Sequence, residues 1–154
     1  MAYISGFDRN QSSFFAFDDF ISNDNPVRLI DSFVDFLDLD ALGFITFSPS
    51  APGQQPYKRS DLLKLHLYGY VNGIRSSRKL AFEASRNIEL IWLLNSVSPA
   101  KSCIANFVKV NQSAIKNVFK HFIAFLKFAN FVDCNAVVID GTKIRAQNSR
   151  NKYY

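Results

Sequence analysis

The sequence predicts a mainly α protein: a helical bundle with helix-turn-helix-like elements, ending in a β-hairpin. Three observations predict it. Apolar residues recur at helical spacing from about residue 25 to 130, and Asn, Ser, Pro and Gly punctuate that pattern where helices start and stop. Only near the C-terminus does a β-branched run, Ala136-Val137-Val138-Ile139, replace the helical period. Asp140-Gly141 then reads as a tight turn into Lys143-Ile144-Arg145-Ala146. With 48% apolar residues and sixteen Phe in 154 residues, the chain has material for a packed core and little reason to be disordered.

Residues 1–24 scatter Phe7, Phe14, Phe15, Phe17 and Phe20 among polar residues without a clean period, which predicts an extended arm with short turns. Asn25-Pro26 opens the first helix, since Asn caps and Pro suits the first helical position. Leu29, Ile30, Phe33, Phe36, Leu37 and Leu39 form its apolar stripe, with Asp31, Asp35 and Asp38 on a solvated face and Gly43 as the stop. Pro49, Pro52, Gly53 and Pro56 mark a loop. Ser60 or Asp61 caps a helix to about Asn72 with Leu63, Leu67, Tyr70, Val71 and Ile74 on one face, ended by Gly73. Ser76-Ser77 restarts a helix through Leu80 and Ala84 that breaks near Asn87, and Ile88–Leu94 is apolar nearly all round and therefore buried. After Ser98-Pro99, a helix from about Ala100 to Val110 turns Ile104, Phe107 and Val108 inward. The longest helix spans about Gln112 to Asn130 and turns Ile115, Val118, Phe119, Phe122, Ile123 and Leu126 inward. This divides the chain into an acidic arm, helix and Pro-rich linker (1–56), a helical domain (57–132) and the start of a sheet (133–154).

Several classes are excluded. No uncharged apolar run reaches the roughly 18 residues of a membrane span, because Lys120 and Lys127 interrupt the longest candidate, Val118 to Val132. The N-terminus lacks the basic and apolar regions of a secretory signal. Cys103 and Cys134 read as free thiols, and His66 and His121 as packing or surface residues, so a cytoplasmic protein without a Cys/His metal site is expected.

The formal charge of +5 is unevenly spread. Residues 1–56 hold eight Asp against Arg9 and Arg28, whereas residues 57–154 hold sixteen Lys or Arg against five acids. A segment this basic favours a polyanion, with nucleic acid the first candidate. The alternative is an acidic first third that folds back on the basic part. Arg75, Arg78, Lys79 and Arg86, with Ser76 and Ser77, combine guanidinium forks, hydroxyls and a helix start, all suited to phosphate oxygens, and read equally well as the polar side of an amphipathic helix. Lys58, Arg59 and Lys64 stand behind them as further DNA contacts. Lys116, Lys120 and Lys127 share one face of the last helix, but a polar helix face is commonly filled with lysine.

Five blocks taken together carry a family resemblance. They are Tyr57-Lys-Arg-Ser-Asp-Leu-Leu-Lys-Leu, Leu67-Tyr-Gly-Tyr-Val-Asn-Gly-Ile-Arg-Ser-Ser-Arg-Lys-Leu, Glu83-Ala-Ser-Arg-Asn-Ile-Glu-Leu-Ile-Trp-Leu-Leu, Ile104-Ala-Asn-Phe and Val138-Ile-Asp-Gly-Thr-Lys-Ile. Across roughly residues 20–147 the chain resembles the N-terminal region of bacterial insertion-sequence transposases of the DDE type, the InsH-like family. The resemblance implies a helical, DNA-handling region leading into an RNase-H-like catalytic domain, with double-stranded DNA at insertion-sequence ends as partner. A homodimer or a full-length transposase is the further partner expected.

It also implies that Asp140 is the first catalytic carboxylate and a metal ligand. Two Mg²⁺ ions about 3.5–4 Å apart would serve phosphodiester transfer in a complete site. The second Asp and the Glu have no counterpart here, so the expectation is a truncated or frameshifted piece that neither binds the metal nor cuts DNA by itself. The rival readings are a non-catalytic DNA-binding module or inhibitor of a full-length transposase, and a helical protein-interaction domain.

Overall fold

The computed structural model describes residues 16–45 and 56–128, and these are helical throughout, with no strand among them. A 3₁₀ turn at Phe17–Phe20 precedes six α-helices: α1 (Pro26–Asp35), α2 (Arg59–Val71), α3 (Ser77–Ala84), α4 (Ile88–Leu93), α5 (Lys101–Val110) and α6 (Gln112–Phe128). None of them is long and apolar enough to cross a membrane. The expected C-terminal hairpin with Asp140, most of the Pro-rich loop and the first fifteen residues lie outside the described residues.

Capping sets most helix starts. The Asn25 carboxamide accepts the Val27 N–H at 2.9 Å, with Pro26 in the first helical position. Asn87 accepts the Glu89 N–H at 3.0 Å and starts α4 where the preceding helix breaks. The first helix ends earlier than the stripe suggested, at Asp35 rather than Gly43. Asp38 explains the difference: its Oδ1 accepts the Asp40 and Ala41 N–H groups at 3.0 Å each, which offers the backbone a turn in place of another helical one. Phe36, expected inward, is consequently 91% exposed, while Val34 takes the buried place.

α2 is the centre of the bundle. It packs against α1, α3 and α4, and Leu62, Leu63, Leu65, Leu67, Tyr68 and Gly69 are all buried. A helix covered on several sides has no single apolar face, so the expected inward residues Tyr70 and Val71 lie about half exposed at its C-terminal end. It starts at Arg59 behind Lys58, and neither Ser60 nor Asp61 caps it. α4 is buried through Leu90 and Leu93, whereas Ile88 remains 38% exposed. α6 returns to the first third of the chain, placing Phe122 and Phe125 against Phe33 at ring distances of 5.0 and 5.2 Å. Ile123, expected inward there, is 37% exposed.

Two polar devices lock the bundle. Glu89 accepts hydrogen bonds from Tyr68 Oη at 2.6 Å and Asn25 Nδ2 at 2.8 Å, and Asn87 Nδ2 donates to Tyr68 Oη at 3.0 Å. The caps of α1 and α4 are thereby tied to the middle of α2. Burial, reinforced by the Glu89 hydrogen bond and charge, holds the Tyr68 hydroxyl well above its ordinary range, so it acts as a donor. At the α5–α6 corner buried Asn111 accepts the Ile45 N–H at 2.8 Å and donates to the Phe107 carbonyl at 3.0 Å.

Candidate nucleic-acid interface

The basic turn between α2 and α3 is built by backbone geometry. α2 ends in a Schellman turn: the Gly73 N–H donates to the Tyr70 carbonyl at 3.3 Å and the Ile74 N–H to the Gly69 carbonyl at 2.7 Å. Gly73 makes this possible at φ +67°, a left-handed conformation that side chains with a Cβ resist. Gly69 permits the close return, since a Cβ there would lie 2.8 Å from both the Ile74 carbonyl oxygen and Leu80 Cδ2. Two glycines therefore fix where Arg75 emerges.

Ser76 then caps α3, its hydroxyl accepting the Lys79 N–H over a long 3.5 Å. The first-turn N–H groups of a helix have no intrahelical acceptor, and they give this end a partial positive charge. Leu80 and Ala84 anchor the opposite face of α3 in the core. Arg75, Ser76, Arg78 and Lys79 are exposed, Ser77 is partly so, and no carboxylate forms an ion pair with the three cations among the described residues. The structure thus gathers five of the expected contacts into one turn and helix start.

Arg86 belongs to the same side but is partly engaged. Its guanidinium meets Glu83 at 2.8 Å and lies 4.6 Å over the Phe82 ring. Glu83 is held below the usual carboxylate range, first by that hydrogen bond, with the Arg86 and Lys79 charges adding to it. Phe82 itself is 58% exposed. Sequence reasoning passed over it, although the spacing Arg78, Phe82, Arg86 is one helix face and was visible.

The remaining expected contacts lie elsewhere. Lys58 is exposed at the start of α2, about 20 Å of helix away from the turn. Near it, burial raises the Asp61 carboxyl above its usual range, opposed by the Lys58 charge. Arg59 turns inward, binding Asp40 at 2.9 Å and the Phe44 carbonyl at 2.8 Å. Lys64 departs furthest from the expectation. It is only 6% exposed, and its ammonium sits 2.6 Å from Asp31 and 2.8 Å from Asp35. Burial alone would lower its pKa, but the two aspartates together raise it above the usual lysine value. Asp31 and Asp35, expected on a solvated face, are therefore its partners, although Asp35 remains 60% exposed, and the ammonium is already held by two carboxylates. Lys64 borders a cavity of about 330 Å³ lined also by Phe17, Asp18, Asp31, Asp35 and Trp92.

Lys116, Lys120 and Lys127 are exposed along α6. His66 is a packing residue, its ring 5.9 Å from Phe107 and Nε2 3.4 Å from the Ile104 carbonyl, with a pKa lowered by burial. No group of three or more His, Cys, Asp or Glu is gathered among the described residues as a metal ion requires. Those residues offer no fit for Mg²⁺, and Asp140 lies outside them.

A family model described as Transposase domain (DUF772) matches residues 15–110, which takes in α1 to α5 and the whole basic turn. No curated protein and no solved structure matches the chain.

Proposed function

The chain belongs to the transposase domain family DUF772, and from that premise we propose that it binds duplex DNA through the α2–α3 turn as the N-terminal part of an insertion-sequence transposase. One observation carries the reading: Arg75, Arg78 and Lys79 project unpaired from a rigid turn, whereas Arg28, Arg59 and Lys64 are each neutralised by an aspartate. Cations with no ion-pair partner have no protein contact to break when a phosphate arrives. Guanidinium forks, the Ser77 hydroxyl and the first-turn N–H groups supply the donors that phosphodiester oxygens accept.

α2, the turn and α3 act in this reading as the helix-turn-helix-like unit. Arg86 and Lys58 add contacts at its margins, and Arg59 and Lys64 hold the scaffold. The InsH-like assignment, with Asp140 as a metal-binding carboxylate of an RNase-H-like sheet, rests on the sequence resemblance alone. A cytoplasmic location and a second transposase chain as partner belong to the same proposal.

The test is fluorescence anisotropy of the full chain with labelled duplex DNA between about 50 and 200 mM salt, where log K should fall with log salt by about 0.9 for each phosphate neutralised. Changing Arg75, Arg78 and Lys79 together to Ala should flatten that slope by about 0.9 per cation lost. Binding that ignores salt, or none at the lowest salt, refutes the DNA reading. Full binding by the triple variant refutes the site.

A further inference from the structure

The exposed aromatic residue in the middle of the basic face is unexplained by phosphate binding. Leu80 and Ala84 mark the buried side of α3, and at 100° per residue Phe82 projects about 160° from each of them. Its ring sits at the apex of the helix, 58% exposed, with Arg78 and Lys79 on either side and Arg86 stacked against it at 4.6 Å. For folding the ring offers only the Arg86 stack. A phosphate gains nothing from it, because the ring offers no donor and no charge.

We propose that Phe82 is a base-contacting residue that seats its ring on thymine methyl groups in the major groove. The inference rests on the DNA-binding reading of the same turn and adds what that surface recognises. An α-helix fits the major groove, and the thymine C5-methyl is the apolar group displayed on its floor. The flanking cations have the complementary charge and placement: they meet phosphates on the groove walls, which fix register but carry no sequence information. The stack of Arg86 on the ring, with Glu83 holding the guanidinium at 2.8 Å, restricts the ring before DNA arrives.

The experiment compares the full chain and F82A on two duplexes of about 20 bp, two helical turns, one of alternating dA·dT and one of alternating dA·dU. The second lacks only the methyl groups. Wild type should bind the thymine duplex more tightly, by about fourfold for each methyl covered. F82A should lose that preference, binding both duplexes as wild type binds the uracil one, with an unchanged salt slope. F82L, which stays apolar, should keep part of the preference.

Equal wild-type binding to both duplexes overturns the assignment, as does a preference that survives F82A. Equal loss on both duplexes in F82A also overturns it, since the ring would then touch sugar or a protein partner. In each of these cases DNA binding itself stands. Absence of wild-type binding to either duplex at low salt is the separate failure of the underlying reading.

Discussion

Replacing Lys64 by Met separates a scaffold cation from a DNA-contacting one. Methionine keeps an unbranched stem in the core and removes only the ammonium, which sits 2.6 Å from Asp31 and 2.8 Å from Asp35. The lysine side chain is 8% exposed, Asp31 31% and Asp35 60%. Removing one member of a fully buried pair costs about 3–5 kcal/mol, because the other charge is stranded. Neither carboxylate is fully buried here, so water recovers part of that loss. The Asp35 arm, well exposed, contributes no more than about 0.5 kcal/mol. The Asp31 arm, in a drier place, contributes about 1–2 kcal/mol. The sum is about 2 kcal/mol, or a fall in melting temperature of roughly 6 °C for a chain of this size. Circular dichroism melts at neutral pH measure it, and the DNA salt slope of K64M should equal that of wild type. Neutralising all three groups in D31N/D35N/K64M should recover most of the loss, because no charge is then stranded. A K64M protein that melts with wild type, or whose salt slope drops by about 0.9, would show that the lysine faces solvent and phosphate after all.

Three further outcomes follow from the same contacts. Gly69→Ala places a methyl 2.8 Å from the Ile74 carbonyl oxygen and Leu80; the α2–α3 junction must open, costing about 1–3 kcal/mol in urea denaturation and weakening DNA binding as Arg75 moves. Tyr68→Phe leaves Glu89 and Asn87 each short of a buried partner and should cost about 1–3 kcal/mol by the same measurement, with the DNA salt slope unchanged. Burial lowers the pKa of the partly buried His66 from its ordinary value, so the unfolded chain takes up its proton first. Stability should therefore fall as pH drops below about 6.5 and stop falling from this source below the lowered folded value. In His66→Leu that component of the pH dependence, read from urea midpoints across the range, should be gone.

Local signals made the helix ends legible. Asn25 and Pro26, Gly73, Ser76 and Asn87 each act within three or four residues of themselves, so a capping rule reads them correctly from the chain. The end of α1 was not legible, because Asp38 had a choice between solvent and its own backbone, and the stripe of leucines around it fitted either outcome. The central place of α2 was hidden for a related reason. Its lysine lies among leucines and would count as surface on any helical wheel, until carboxylates from 29 and 33 residues earlier in the chain come to meet it. The same limit applies to the interface: the cluster Arg75–Lys79 is contiguous and was read directly, whereas deciding which cations are unpaired required the partners brought by the fold. The expected C-terminal strands and Asp140 lie outside the described residues.

The lopsided charge of the chain follows from how these partners are distributed. Four acids of the first third, Asp18, Asp31, Asp35 and Asp40, are consumed by Arg28, Arg59 and Lys64. An acidic segment folding back on a basic one and a basic segment reserved for a polyanion had looked like competing readings. The ion pairs up to the end of α2 support the first among the described residues, and the second belongs to the DNA-binding proposal. Among the described residues up to the end of α2 the cations are matched at ion-pair distance, Lys58 aside. Beyond it, Arg75, Arg78 and Lys79 have no carboxylate within that range among the described residues. At physiological salt the field of a charge fades over about 8 Å, so distant acids do little to these three, and nearby Glu83, on which the Lys79 charge also acts, is already paired with Arg86. Their positive potential therefore stays local to the turn, even though the aspartates bring the net charge of the whole chain down to +5. A polyanion at this turn would meet that local charge, not the average.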